Sequence, residues 1–169
     1  MKLSAKVAIL TVSDRSAAGE REDKGGPLIR SWAETAGAEI LGAEILPDDR
    51  VVIADRIVHW SDAGAGLVLT TGGTGLSPRD VTPEATADVI ERPVPGIPEW
   101  IRATTGATNR FAYLSRGIAG IRGRTLVINL PGSPRAVTEY LNLLVKILPH
   151  ALEQVAIPPG SSSDRHPGA

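Results

Sequence analysis

Two short runs in this chain are apolar almost without interruption: Val7-Ala8-Ile9-Leu10-Thr11-Val12 and Leu67-Val68-Leu69-Thr70-Thr71. A strand with one wet face alternates apolar and polar residues. A run without alternation suits a strand covered on both faces, as in a parallel sheet. Parallel neighbours need long crossover connections, usually helices. Helical spacing is present where such crossovers are needed. Leu28, Ile29, Trp32, Ala33 and Ala36 follow Pro27 and stop at Gly37, and Ile53, Ile57 and Trp60 recur within residues 51–63. A second strand is expected within residues 38–46. The predicted fold class is α/β: a single domain with an open, mostly parallel sheet, helices on both faces and a small β-hairpin around Arg122-Gly123-Arg124. The 169 residues fit one domain. Residues 1–157 are expected to form it, with a polar, flexible tail over 158–169.

The connections follow the same logic. Asp14 to Gly26 is polar and glycine-bearing and reads as a loop. Gly72-Gly73-Thr74-Gly75 opens another, and Thr82 is expected to cap the next helix with Pro83 in its first turn. Glu91 to Pro98 is a proline-rich connection before a helix over 99–105. Asn129-Leu130-Pro131-Gly132 reads as a tight loop, after which Ser133 caps a helix with Pro134 at its first position. Val137, Tyr140, Leu141, Leu144 and Leu148 repeat at helical spacing, and Pro149 restarts the helix toward Val155. Trp32 and Trp60 fit core-facing positions.

Composition excludes several classes. The chain has no cysteine, which removes disulfides, thiolate metal sites and a cysteine nucleophile. A net charge of -1 and 4% aromatic residues argue against nucleic-acid binding by bulk positive charge or base stacking. No apolar run approaches membrane-spanning length, and Val7 to Val12 is too short for a signal-peptide core, so a soluble cytoplasmic protein without a membrane contact is expected. There is no G-x-x-x-x-G-K-[ST], no Rossmann fingerprint and no G-x-S-x-G elbow.

Ligands of open α/β sheets sit beyond the carboxyl ends of the strands. The loops placed there, 14–26, 47–50, 72–82 and 129–133, carry Asp14, Asp48 and Asp80, and two of the four have glycine-rich turns leading into capped helices, which suit anions. Two carboxylates beside a phosphate cradle suit Mg²⁺, which takes few protein ligands plus substrate phosphates. The alternatives are structural: Asp48 capping the following helix, Asp80 preceding a cap, and glycines that only make turns. Arg15, Lys24 and Arg79 are the basic candidates for phosphate, whereas Arg21, Arg122 and Arg124 read as solvated. His59, His150 and His166 read as surface or packing residues.

Taken in order, Ser13-Asp14-Arg15, Asp23-Lys24-Gly25-Gly26-Pro27, Thr70-Thr71-Gly72-Gly73-Thr74-Gly75, Arg79-Asp80-Val81-Thr82-Pro83-Glu84, Leu114-Ser115-Arg116 and Asn129-Leu130-Pro131-Gly132-Ser133-Pro134 resemble the MoaB/Mog family of molybdenum-cofactor biosynthesis proteins, over about residues 5–157. The resemblance implies a homotrimer and a molybdopterin adenylyltransferase that uses ATP and Mg²⁺. It implies catalytic, metal-associated acids at Asp48 and Asp80. It implies a nucleotide-phosphate loop at Gly72, Gly73, Thr74 and Gly75. Substrate-side residues are implied at Ser13, Asp14, Asn129, Pro131, Gly132 and Ser133. A transient contact with a molybdenum-insertion protein is a further implication. The alternative reading is a non-catalytic molybdopterin carrier or assembly protein that uses the same pocket.

Overall fold

The computed structural model describes residues 3–158. In chain order the elements are β1 (Lys6–Val12), α1 (Asp14–Ala17), α2 (Gly25–Thr35), β2 (Glu39–Leu46), α3 (Arg50–Asp62), β3 (Leu67–Thr71), α4 (Thr82–Ala87), β4 (Arg92–Pro93), α5 (Gly96–Gly106), a 3-10 turn (Arg110–Leu114), β5 (Ala119–Arg122), β6 (Thr125–Leu130), α6 (Pro134–Leu144) and α7 (Leu148–Ala156). The expected tail lies outside the described residues except for Pro158.

One six-stranded sheet runs β2-β1-β3-β6-β5-β4. β1 pairs in parallel with β2 and β3, and β3 in parallel with β6, while β5 runs antiparallel to β6 and β4. The burial of the strands explains the order. β3 and β6 are buried at every residue, and β1 at every residue after Lys6, so these three take the interior. β2 is mostly half-buried or exposed and takes an edge.

Alternate side chains divide the core into two faces. Val7, Ile9, Leu67, Leu69, Leu126 and Ile128 pack with Ile29, Ile101, Val137 and Leu148, so α2, α5, α6 and α7 cover one face. Ala8, Leu10, Val68 and Val127 pack with Ile53, Ile57 and Ala85 beneath α3 and α4. Helices therefore lie on both faces, as the apolar runs predict.

The differences from expectation are local and have identifiable causes. Residues 14–26 are not wholly loop: Ser13 caps the short α1 by accepting from the Ser16 amide. α2 starts at Gly25 rather than Pro27 because the Asp23 carboxylate accepts from the amides of both Gly25 and Gly26, at 2.9 and 3.0 Å. Thr82 does not cap α4. Its hydroxyl donates to the Gly72 carbonyl, and Val81 stands at the cap. The proline-rich connection yields β4, and α5 begins at Gly96, earlier than Glu99. Asn129 lies in β6 and not in a loop. The hairpin does form across Gly123-Arg124, but its second strand is β6, a central strand of the parallel sheet. Trp32 and Trp60 are half-buried at the margins of the core, and the Trp60 indole N–H donates to Glu44. His59 and His150 are exposed, and His166 lies outside the described residues.

Candidate active site

After β1 the chain first crosses to β2 on one side, then to β3 on the other. That reversal leaves a crevice beyond the carboxyl ends of β1 and β3. A cavity of about 390 Å³ opens there, in the size range of small-molecule sites. Ser13, Asp48, Gly72, Gly73, Asp80, Gly132 and Ser133 all line it.

Asp48 and Asp14 are tied reciprocally. The Asp14 amide donates to Asp48 Oδ2, and the Asp48 amide donates to Asp14 Oδ1, each at 2.9 Å. Arg79 then grips Asp14 Oδ2 through Nε and Nη2, at 3.0 and 2.7 Å. This arrangement leaves Asp48 Oδ1 without a donor among the described residues. Asp49, not Asp48, caps α3 by accepting from the amides of Val51 and Val52. Asp80 Oδ2 accepts from the Ser77 amide at 2.9 Å, while Oδ1 has no donor among the described residues, and α4 has no side-chain cap. The capping alternatives for both acids therefore do not hold. Each presents one anchored and one unengaged oxygen.

The electrostatics of these carboxyls differ. The Arg79 guanidinium beside Asp14 holds its carboxyl below the ordinary range, helped by the Asp48 amide. Burial pushes Asp48 above that range. The Asp14 amide opposes this, and the neighbouring Asp14 and Asp80 carboxylates add to it. Two carboxyls facing one crevice, each with a free oxygen, fit a divalent cation completed by substrate oxygens. Among the described residues no group of three or more histidine, cysteine, aspartate or glutamate side chains is gathered to hold a metal, so substrate oxygens would have to complete the shell of such an ion.

The glycines make room for this arrangement. Gly72 and Gly73 have φ of 97° and 63°, a region that side chains disfavour. A Cβ on Gly73 would stand 3.1 Å from the free Asp48 oxygen. The amides of Gly73, Thr74, Gly75 and Leu76 find no acceptor among the described residues. Successive unpaired amides of this kind favour anions. Across the cavity Ser133 caps α6 by accepting from the Ala136 amide. Ser13 and Ser133 thus each use an oxygen lone pair in capping and keep the hydroxyl proton for a ligand.

Other sequence candidates stand behind the cavity wall. Thr74 is buried, and its carbonyl accepts from the Arg116 amide. Gly75 does not have a positive φ; a Cβ there would instead come within 2.9 Å of Asp80 Oδ2. The Pro131 carbonyl accepts from the Thr71 hydroxyl. Asn129 is buried, donating both Nδ2 protons to the hydroxyls of Thr70 and Thr86 and accepting from the Ile118 amide, so its donors are spent within the protein. Of the basic candidates, Lys24 lines the cavity, Arg79 is bound to Asp14 and Arg15 lies outside. Arg21, expected to be merely solvated, stands at the rim. Asp23 was not anticipated as a wall residue. Its spacing before Gly25-Gly26, that of an Asx cap, is the signal that identifies it.

A family model described as a probable molybdopterin binding domain matches residues 8–150. The chain belongs to this family. Its MoaB/Mog character shows in the relatives. A molybdopterin adenylyltransferase of Haemophilus influenzae is 40% identical over 152 residues, 83% of this chain and 77% of that protein. A molybdenum cofactor biosynthesis bifunctional protein of Synechococcus elongatus is 44% identical over 144 residues, 85% of this chain but 45% of the relative. The chain spans about a quarter of the Drosophila melanogaster and Dictyostelium discoideum relatives. The crystal structure of the molybdopterin biosynthesis enzyme MoaB from Thermus thermophilus superimposes with a TM-score of 0.86 at 45% identity, covering 91% of this chain and 98% of that one. No helix among the described residues of this MoaB/Mog-family chain is long and apolar enough to cross a membrane.

Proposed function

We propose that this MoaB/Mog-family chain is a molybdopterin adenylyltransferase acting in the cytoplasm as a homotrimer. The observation that carries the reading is the pairing of Asp48 and Asp80, each with an unengaged oxygen, against the Gly72-Gly73 turn in one crevice. An oxygen of the terminal phosphate of molybdopterin attacks the α-phosphorus of ATP. A new P–O bond forms there, the bond to the bridging oxygen breaks, and pyrophosphate leaves with the electron pair. Such transfers ask the protein for positioning and charge compensation rather than covalent help. The chain has no cysteine, and no serine–histidine hydrogen bond forms among the described residues, which is consistent with this demand.

Asp48 and Asp80 would hold Mg²⁺, which when bound offsets the negative charge of the triphosphate. Gly72, Gly73, Thr74 and Gly75 hold the nucleotide phosphates, with Thr74 and Gly75 acting through backbone from behind the wall. Ser13, Gly132 and Ser133 face the pterin substrate, and Asp14, Pro131 and Asn129 fix the backbone around it. Lys24 and Arg21 are placed to meet phosphate at the rim. A passing contact with a molybdenum-insertion protein is part of the same proposal and rests on the family resemblance alone.

Mixing protein, molybdopterin and MgATP should release one pyrophosphate per adenylyl-molybdopterin formed. A carrier would bind molybdopterin and release none. In the metal-free protein the Asp48 carboxyl should titrate above the ordinary carboxylate range, because burial favours its proton. A carboxyl titration followed by NMR that finds it within the ordinary range would show that burial does not govern this group. Light scattering should give three times the 17.7 kDa chain mass, and a monomer mass would overturn the trimer.

A further inference from the structure

The loop from Gly72 to Thr82 carries both the cradle and Asp80, yet little of it is held by its own residues. The Ser77 and Asp80 backbones bond to each other locally, and Thr82 ties back to Gly72 and Gly73. Between these ties, the carbonyls of Thr74, Gly75 and Asp80 all turn to one residue from a distant part of the chain. The Arg116 amide donates to the Thr74 carbonyl at 2.9 Å. Its Nε donates to the Gly75 carbonyl at 2.7 Å and its Nη2 to the Asp80 carbonyl at 2.6 Å. Nη1 pairs with the Glu84 carboxylate on α4.

We infer that Arg116 is a positioning residue that fixes the Gly72–Thr82 loop by gripping both of its limbs at once, and so sets the free amides and the Asp80 carboxylate in place for the nucleotide phosphates. A trans peptide points its N–H opposite to its C=O. With the carbonyls of Thr74 and Gly75 committed to Arg116, the amides of Gly75 and Leu76 are turned the other way, and both lack a protein acceptor among the described residues. Only a planar guanidinium presents several donors in a fixed fork. A lysine ammonium in its place reaches fewer acceptors with less directional control. Glu84 completes the grip, and the guanidinium beside it holds its carboxyl below the ordinary range. Arg116 does not line the cavity, so it acts through the loop and not on substrate.

The assignment of substrates rests on the adenylyltransferase reading, but the grip itself does not, and the test separates the two. Hydrogen exchange is measured on wild type, Arg116→Lys and Arg116→Ala without ligand. Exchange should accelerate at least tenfold at the bonded loop amides of Ser77, Asp80 and Thr82 and stay unchanged in β1 and α6. Wild-type exchange at these amides for both variants would overturn the grip, whatever the activity. In steady-state pyrophosphate release, the KM for ATP should rise about tenfold in Arg116→Lys, with the KM for molybdopterin within twofold of wild type. A general folding defect would instead lower kcat in proportion to unfolded protein and leave both KM values alone, and that result would also overturn the proposal. A wild type that releases no pyrophosphate would defeat the adenylyltransferase reading while leaving the exchange result standing on its own.

Discussion

Asp80→Asn is expected to give a folded protein whose pyrophosphate release is slower by about 100-fold or more, the usual scale for losing one preorganised electrostatic group. Asp48→Asn should act in the same sense. Asparagine keeps an oxygen to accept from the Ser77 amide in the first case and from the Asp14 amide in the second, so the local bonds survive. Only the charge goes.

Stability gives a second, independent readout, because the two acids should differ. The folded-state pKa of Asp48 is raised. Its charge therefore weighs against folding as pH climbs from the ordinary carboxylate range through that raised value, and the deficit persists at neutral pH. Asp48→Asn removes the deficit and should melt at or above the wild-type temperature at pH 7 while losing turnover. Asp14 behaves oppositely. Its pKa is lowered by Arg79, so its contribution is present above the ordinary range and lost as pH falls through its own depressed value. Asp14→Asn should accordingly melt below wild type at pH 7 and converge with it in acid. An acid that merely capped a helix would pair a stability loss of about 1 kcal/mol with near-normal turnover. Turnover and melting measured on the same preparations separate these cases, and wild-type turnover in Asp80→Asn would exclude the residue from the mechanism.

The parts of the fold that sequence reveals are those where one physical term dominates. β3 spans Leu67–Thr71, as its unbroken apolar run predicts, because complete burial leaves no competing pattern. Ser133 and Pro134 start α6 as expected, since a cap and a first-turn proline act within four residues. Long-range contacts decide the rest. Thr82 has every local mark of a cap, yet its hydroxyl serves the Gly72 carbonyl ten residues away. Asn129 reads as loop because polar residues rarely sit inside a buried strand; three partners brought by β3, α4 and the residue before β5 make it tolerable there. In the candidate site, strand-end placement pointed to the loops that carry Asp48, Gly72, Gly73, Asp80, Gly132 and Ser133, and the family resemblance added Ser13. It did not separate the residues on the cavity surface from those behind it, such as Thr74 and Pro131. Nor did it mark Arg116, whose acceptors lie 32–42 residues earlier.

Gly72→Ala should be the most damaging single-methyl change in the crevice. Gly72 sits where the ends of three strands meet. Its amide donates to the Leu130 carbonyl on β6, its carbonyl accepts from Thr82, and a Cβ would lie 2.2 Å from the Val12 carbonyl oxygen on β1. Two costs therefore add. A side chain at φ 97° is strained by about 1–3 kcal/mol. The backbone clash with Val12 cannot be relieved by a rotamer change, so β1 and β3 must separate at their carboxyl ends. A total of about 3–5 kcal/mol is expected, at the upper end for point substitutions. At about 2–4 °C per kcal/mol for a domain of this size, the melting temperature should fall by about 10 °C. Gly123 supplies the control. Its φ is 55°, also positive, but a Cβ there meets nothing within 4 Å, so Gly123→Ala should carry only the conformational cost, about 1 kcal/mol. Below its melting temperature Gly72→Ala should still fold but bind ATP at least tenfold more weakly, because the opened strand ends displace Gly73 from the free Asp48 oxygen. Equal melting temperatures for the two alanine variants would show that the Val12 contact relaxes at no cost. Wild-type ATP affinity in Gly72→Ala would show that the turn does not shape the phosphate site.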